Sequence, residues 1–392
     1  MSKCGLVLSG GGARGAYEAG ILYYLLVDGP RELREMVHFD VISGTSIGAL
    51  TASALAASVH QPAAGVRRMV DLWRTLELER VLQLSVKDML SIPGWLVGRT
   101  QRESIFPGGP VEQLLIDSVD WNQIHVNLED GLLDALSISC TQVSSGKTLV
   151  FYETADGKRR PFSRDPNVVP VRARLEPHHA LASSSIPFVF PPVSIDGISY
   201  VDGGLRQNTP LSPALRMGSE KLLVIGLGHA KEVDEAALFS KEEKSTPISV
   251  LGKVVNALML DHVDYDIVRL SHVNRLMEDG ETVFGEQFID RLNQMVKPIR
   301  GASYRKIPHV VMRPSMDLGM LAAQHVRDRK MKSSKGVVTR LVRTLARLER
   351  KDEADLTSYL LFDGDFCESL INLAMDDARA AKDELLRLFD AK

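Results

Sequence analysis

The sequence predicts an α/β fold in which a parallel sheet is covered by helices, and two stretches near its start carry that prediction. Cys4 to Leu8 is a short apolar run ending in glycines, followed by helical spacing from Ala16 to Val27 through Ala19, Leu22, Tyr23 and Leu26. Val37 to Ser43 repeats the pattern ahead of a helix expected over Ile47 to Ser58. Two strand–turn–helix units within the first sixty residues argue for parallel pairing. A third observation is Lys221 to Leu227, KLLVIGL, which reads as a fully buried strand.

The other elements follow in order. A helix is expected from Ala63 to Glu79, and residues 81–110 read as a loop-rich excursion because prolines and glycines interrupt the apolar side chains. Asp134 to Val143 and Lys147 to Tyr152 alternate around Ser144, Ser145 and Gly146, which predicts a β-hairpin. A helix near Pro177 to Ser185 precedes short strands in FVFPPVSIDGISYVDGG. From Gly228 to about Ile307 the chain is mostly helical and polar and reads as an insertion, with a strand at His309 to Met312 returning to the sheet. A basic segment, Arg327 to Lys351, and a helix from Phe366 to Phe389 close the sequence. No internal repeat or low-complexity tract interrupts it.

Composition narrows the function classes. The 392 residues are 44% hydrophobic and 25% charged with a net charge of −3, ordinary globular values without the positive field that nucleic acid would require. Cys4, Cys140 and Cys367 are odd in number, far apart and without metal-ligand spacing, so neither a disulfide framework nor a zinc site is expected. No signal-like run opens the chain and no eighteen uncharged apolar residues occur together. The expectation is a soluble cytoplasmic protein.

The chemistry concentrates in two glycine-flanked turns. Gly44, Thr45, Ser46, Ile47 and Gly48 match GxSxG, in which a sharp strand-to-helix turn exposes a serine hydroxyl and leaves no room for side chains two positions before and after it. Ser46 could instead be the N-cap of the following helix, a role serine often fills. Gly10, Gly11, Gly12, Ala13, Arg14 and Gly15 contain GxGxxG, but the next strand ends in the Ser46 turn and not in the acidic residue that a dinucleotide's ribose needs. The same glycines suit an oxyanion hole of backbone N–H groups, with Arg14 either adding positive charge or lying on the surface.

A serine nucleophile needs a base. His229, just beyond KLLVIGL, is the histidine placed where a triad base would fall in chain order. The alternative is Asp202, which ends a short strand before Gly203 and Gly204; Asp-Gly is also a common turn signal.

Taken together, these pieces resemble the patatin-like phospholipases. The resemblance rests on GGGARG at Gly10 to Gly15, GTSIG at Gly44 to Gly48, ALASSSIPFVFPP at Ala180 to Pro192, and DGG at Asp202 to Gly204 followed by Asn208 and Pro210, in the family's order over roughly the first 230 residues. It implies a three-layer α/β/α fold with a mainly parallel central sheet; together with the residue pattern this gives a hydrolase domain over 1–320, with a helical insertion at about 228–307 and a C-terminal helical extension over 321–392 packed on the same domain, neither of which the motifs constrain. It also implies a Ser46–Asp202 dyad without a catalytic histidine, metal or cofactor, and an oxyanion hole from the Gly10 to Gly12 backbone and its adjacent loop. The implied activity is hydrolysis of acyl esters of phospholipids or related lipids. A small-ester esterase, thioesterase or acyltransferase on the same dyad is the alternative enzyme, and an effector silent until a partner binds is the alternative from another class.

The expected partner is a lipid or membrane surface, reached by peripheral contact, and not nucleic acid. Met89 to Val97 reads as an interfacial loop or a buried packing segment around Trp95. Val337 to Arg350 places Val338, Leu341, Val342, Leu345 and Leu348 on one helical face and arginines on the other, which suits an anionic membrane or, more commonly, packing of the stripe on the domain.

Overall fold

Strand β1 (Cys4–Leu8) lies at the middle of the sheet, parallel to β2 (Val41–Thr45) on one side and to β8 (Lys221–Ile225) on the other. β3 (Ala135–Gln142) continues beyond β2 and β9 (His309–Met312) beyond β8, both parallel to their neighbours. β4 (Thr148–Thr154) returns antiparallel along β3 and β5 (Val168–Arg172) runs parallel to β4. The order is therefore β5-β4-β3-β2-β1-β8-β9. β7 (Ile198–Asp202) lies antiparallel to the far end of β3, and β6 (Val193–Ile195) pairs with β7. The computed structural model describes residues 2–84, 103–160, 166–229, 247–300, 303–328, 336–349 and 354–391, with the side chains of 247–264 and 298–300 left aside.

The two-residue period of a strand sorts the core into two layers. Leu6 and Leu8 of β1 and Leu223 and Ile225 of β8 face one large cluster, which also holds the apolar faces of the helices Ala16–Tyr23, Ile47–Ser58, Pro62–Thr75 and Gly364–Ala380. Val7, Leu222 and Val224 face the other side, against Leu211, Ala214 and Met217 of the helix Leu211–Met217 and partly buried Ile267 and Leu270 of the helix Pro247–Phe284. Helices thus cover both faces of a mainly parallel sheet, the three-layer α/β/α arrangement that the resemblance implied. The last helix, Lys382–Asp390, is tied to the sheet by Lys221, whose buried ammonium donates to the carbonyls of Phe389 at 3.0 Å and Ala391 at 2.8 Å.

Several boundaries differ from expectation, each for a local reason. The first helix is α-helical only to Tyr23 and continues as a π-turn over Tyr24–Asp28. β2 begins at Val41 and not Val37, because Val37 ends a short unanticipated helix, Arg31–Met36. The helix expected over Ala63 to Glu79 runs Pro62–Thr75, stops where Leu76 turns extended, and resumes as the turn Leu78–Val81. The hairpin falls as expected, but β5 was not anticipated, its VVPVR reading being broken by Pro170. The helix expected from Phe366 to Phe389 is two, divided at Ala381. Of the 81–110 excursion, residues 85–102 lie outside the described residues, and Met89 to Val97 with them. The arginine-rich helix, Val337–Leu348, turns Val338, Thr339 and Val342 inward and leaves Arg340 and Arg347 exposed.

The helix Gly364–Ala380 packs tightly on Ala16–Tyr23 at Gly20, where a Cβ would lie 2.5 Å from the Ile371 carbonyl oxygen and 2.6 Å from Ala374 Cβ. Gly20→Ala is expected to destabilise the protein by about 1–3 kcal/mol in urea unfolding. Gly109→Ala, whose Cβ would meet nothing within 4 Å, is expected to change stability by less than about 0.5 kcal/mol.

Candidate active site

Ser46 sits between β2 and the helix Ile47–Ser58 with φ 57° and ψ −127°, a backbone conformation that costs a residue with a Cβ of order 1–3 kcal/mol. The capping alternative is not what this turn does: the Ser46 side chain makes no bond to the helix N-terminus. Its hydroxyl donates instead to Asp202 Oδ2 at 2.5 Å. The turn can be this tight because a Cβ at Gly44 would lie 2.2 Å from the Gly48 carbonyl oxygen, and one at Gly48 would lie 2.5 Å from that of Leu8.

β3 brings the two side chains together. Thr45, the last residue of β2, pairs with Ser139, and Asp202, the last residue of β7, pairs with the next residue of β3, Cys140. β7 therefore takes up the place beside β3 that β2 vacates at the serine turn. The join is tightened by Ser183, which accepts from the Ser46 N–H at 2.9 Å while donating to the Ser139 carbonyl at 2.7 Å. The Asp202 N–H donates to the Ser185 carbonyl at 2.9 Å. Gly203 lies so close to β3 that a Cβ would meet Ser139 O at 2.2 Å, and the Gly204 N–H donates to Asp202 Oδ1 at 2.7 Å.

The glycine loop lies against the same serine. A Cβ on Gly10 would lie 2.8 Å from Ser46 Cβ, and Gly10 is held by Asn208 through a backbone bond of 3.2 Å and a side-chain bond of 3.1 Å. Gly12, Ala13, Arg14 and Gly15 form a buried 3₁₀ turn, with Gly15 packed on Ile47. Among the described residues no acceptor takes the N–H groups of Gly11 and Gly12. Unpaired, buried backbone donors beside a serine hydroxyl are what a developing oxyanion requires. Arg14 is neither on the surface nor directed at the serine. Its Nε donates to Ser358 Oγ at 2.8 Å, its Nη2 to Asp355 Oδ1 at 3.2 Å, and its guanidinium lies 4.3 Å from the centre of the Tyr359 ring.

Ser46 and Gly12 open on a cavity of about 120 Å³ whose walls are nearly all apolar, among them Leu50, Met69, Trp73, Leu115 and Phe190. Asp202 is fully buried, and that burial pushes its pKa up to about 7 against the opposing pull of the Ser46 hydroxyl and the Gly204 N–H. The carboxylate thereby gains a basicity near that of an ordinary imidazole. His229 bonds the Pro314 carbonyl through Nδ1 at 2.9 Å, and among the described residues no hydrogen bond links it to Ser46 or Asp202. Ser183, Asp355 and Tyr359 were absent from the expected site. Ser183 lies inside the quoted ALASSSIPFVFPP, whereas nothing in the sequence pairs Arg14 with a residue 341 positions away.

The fold and site define an α/β protein with a serine-bearing elbow at the C-terminal end of an interior strand of a mainly parallel sheet. A model described as patatin-like phospholipase matches residues 6–215, more than half of the chain, and the chain belongs to that family. Among solved structures it is similar to VipD from Legionella pneumophila, at 13% identity and a TM-score of 0.34, covering 95% of this chain and 67% of that one. It is similar to human GIVD cytosolic phospholipase A2 in complex with methyl gamma-linolenyl fluorophosphonate, at 12% identity and a TM-score of 0.41, covering 99% of this chain and 59% of that one. The ExoU–SpcU complex from the type III secretion system of Pseudomonas aeruginosa matches at 16% identity and a TM-score of 0.29, covering 97% of this chain and 76% of that one. Among the described residues no helix is long and apolar enough to cross a membrane.

A carboxyl whose pKa is raised from 3.8 to about 7 binds its proton more tightly folded than unfolded, so its contribution to stability is full below about pH 4 and is lost as the pH rises through about 7. Asp202→Asn is expected to remove that loss, gaining roughly 4 kcal/mol over wild type at pH 8 relative to pH 4 in urea titrations. Glu18 and Glu349, also raised by burial, titrate in both proteins, so the difference isolates Asp202.

Proposed function

We propose that the protein is a lipid acyl hydrolase of the phospholipase A or lysophospholipase type, with Ser46 as nucleophile, Asp202 as its base and the N–H groups of the Gly10 to Gly12 loop as oxyanion donors. The observation that carries this reading is the 2.5 Å hydrogen bond to a buried carboxylate from the hydroxyl of Ser46, a residue that lines an apolar cavity. Ser46 Oγ attacks the ester carbonyl carbon and its proton passes to Asp202. The oxyanion collapses to an acyl-serine, and the departing alkoxide takes the proton from Asp202. Water, deprotonated by Asp202, then attacks the acyl-serine; the fatty acid leaves and Ser46 recovers its proton. A raised carboxyl pKa supports this sequence, since the same group must accept and return a proton near neutral pH.

A lipid aggregate is the partner this reading requires, met from the cytoplasm or at a membrane face. The cavity volume favours a second reading of the same chemistry. About 120 Å³ is below the roughly 300–1,000 Å³ of pockets that enclose a whole ligand, which suits a short acyl ester or thioester. Product analysis on mixed phospholipid vesicles, set beside turnover of p-nitrophenyl butyrate, separates the two.

Ser46→Ala and Asp202→Asn are each expected to lower hydrolysis by roughly a thousandfold or more while leaving the protein folded. Near-normal turnover by folded Asp202→Asn would sink the dyad. In the wild type, kcat/KM is expected to rise with pH to a plateau, with a midpoint near the Asp202 pKa of about 7, because the base works only when ionised. The same midpoint is expected in His229→Ala; its disappearance there would assign the base to imidazole.

A further inference from the structure

The family match ends at residue 215, yet the cavity beside Ser46 does not close without residues far beyond it. Tyr359, Leu360 and Phe362 line it together with the elements that carry the motifs. All three are nearly buried, and Phe362 stacks on Trp73, another lining residue, with ring centres 6.3 Å apart and planes within 9°.

This segment is anchored at both ends. At its start Asp355 and Ser358 hold Arg14, and Gly12 is pressed so near the Tyr359 carbonyl that a Cβ would lie 2.3 Å from that oxygen. At its end the Gly364 N–H donates to the carbonyl of Leu76, which also lines the cavity, at 2.9 Å. A wall fixed to the glycine loop on one side and to the cavity floor on the other yields little to an incoming chain.

We propose that the segment Asp355–Phe362 is the selectivity wall of the active site, and that Leu360 and Phe362 set the length of acyl chain accepted beside Ser46. The proposal rests on Ser46 acting as the nucleophile of an acyl-ester hydrolase. The size of the cavity makes the wall consequential. An apolar cavity of roughly 150 Å³ holds a benzene molecule, so in one of about 120 Å³ a single side chain is a large fraction of the free space. Each methylene gained or lost inside alters binding about fourfold.

The test uses the full chain and a series of p-nitrophenyl esters from acetate to palmitate. Leu360→Ala is expected to move the optimum of kcat/KM to longer chains, and Leu360→Trp to shorter ones, with each added methylene changing the ratio of variant to wild type by about fourfold. Phe362→Leu, a milder change, provides the longer-chain arm if Leu360→Ala does not fold. Asp355→Asn, which frees the anchor, is expected to flatten the length preference. Fluorophosphonate labelling and a melting curve report that each variant is folded with a reactive serine. Variants that are folded, labelled at Ser46 and unchanged in their length profile would overturn the wall while leaving the hydrolase reading standing. Hydrolysis that persists in Ser46→Ala with the wild-type profile would overturn both.

Discussion

The contact between the Ser46 hydroxyl and the Asp202 carboxylate depends on β3. Two chain segments 156 residues apart end at adjacent positions of that one strand, Ser139 and Cys140, and their side chains meet because the strand measures out the distance. Strand register has a period of two, so a slip of one residue in β7 would turn Asp202 to the opposite face of the sheet. Ser183 fixes the serine turn to the β3 backbone through a single hydroxyl, and the Ser185 carbonyl two residues on holds β7 against the slip by accepting from the Asp202 N–H. The close backbone approaches at Gly44, Gly48 and Gly203 serve the same end, allowing three chain segments to crowd where a methyl group would hold them apart.

Electrostatics at the site follow from that crowding. A buried carboxylate has few partners, here one hydroxyl and one backbone N–H, and loss of water outweighs both in raising its pKa. The nearby cation does not offset this, since the Arg14 guanidinium is matched by Asp355. In the proposed mechanism, stabilisation of an oxyanion therefore falls to neutral backbone dipoles, which are most effective where water is excluded and need no reorganisation as charge develops. An uncharged ester group is the substrate electrostatically suited to such a site.

Much of this was legible in the sequence, and what was not has a common cause. β1, the helix Ile47–Ser58, the hairpin of β3 and β4, and β9 follow from local apolar periodicity, and the motifs name Ser46, Asp202 and the glycine loop from residue type and spacing. Periodicity failed where tertiary packing overrides it, as in β5 with Pro170 in its middle, and in the paired helices around Ala381, whose apolar stripe continues across the break. Motif reasoning failed for Arg14, because its partners Asp355 and Ser358 carry no pattern of their own and become neighbours only in the folded chain. The cavity wall was invisible for the same reason.

The ion pair of Arg14 with Asp355 has a temporal side. Its members are 341 residues apart, and at about 5–20 residues per second a ribosome takes some tens of seconds to travel from one to the other. During that interval the Asp355 carboxylate that meets the guanidinium in the folded protein has not been made, and burying a charge ahead of its counter-charge is costly, so the loop settles late. A growing chain can thus assemble its central strands and its serine turn well before the loop settles. Settling of the loop beside Ser46 is deferred until the residues around Asp355 have emerged.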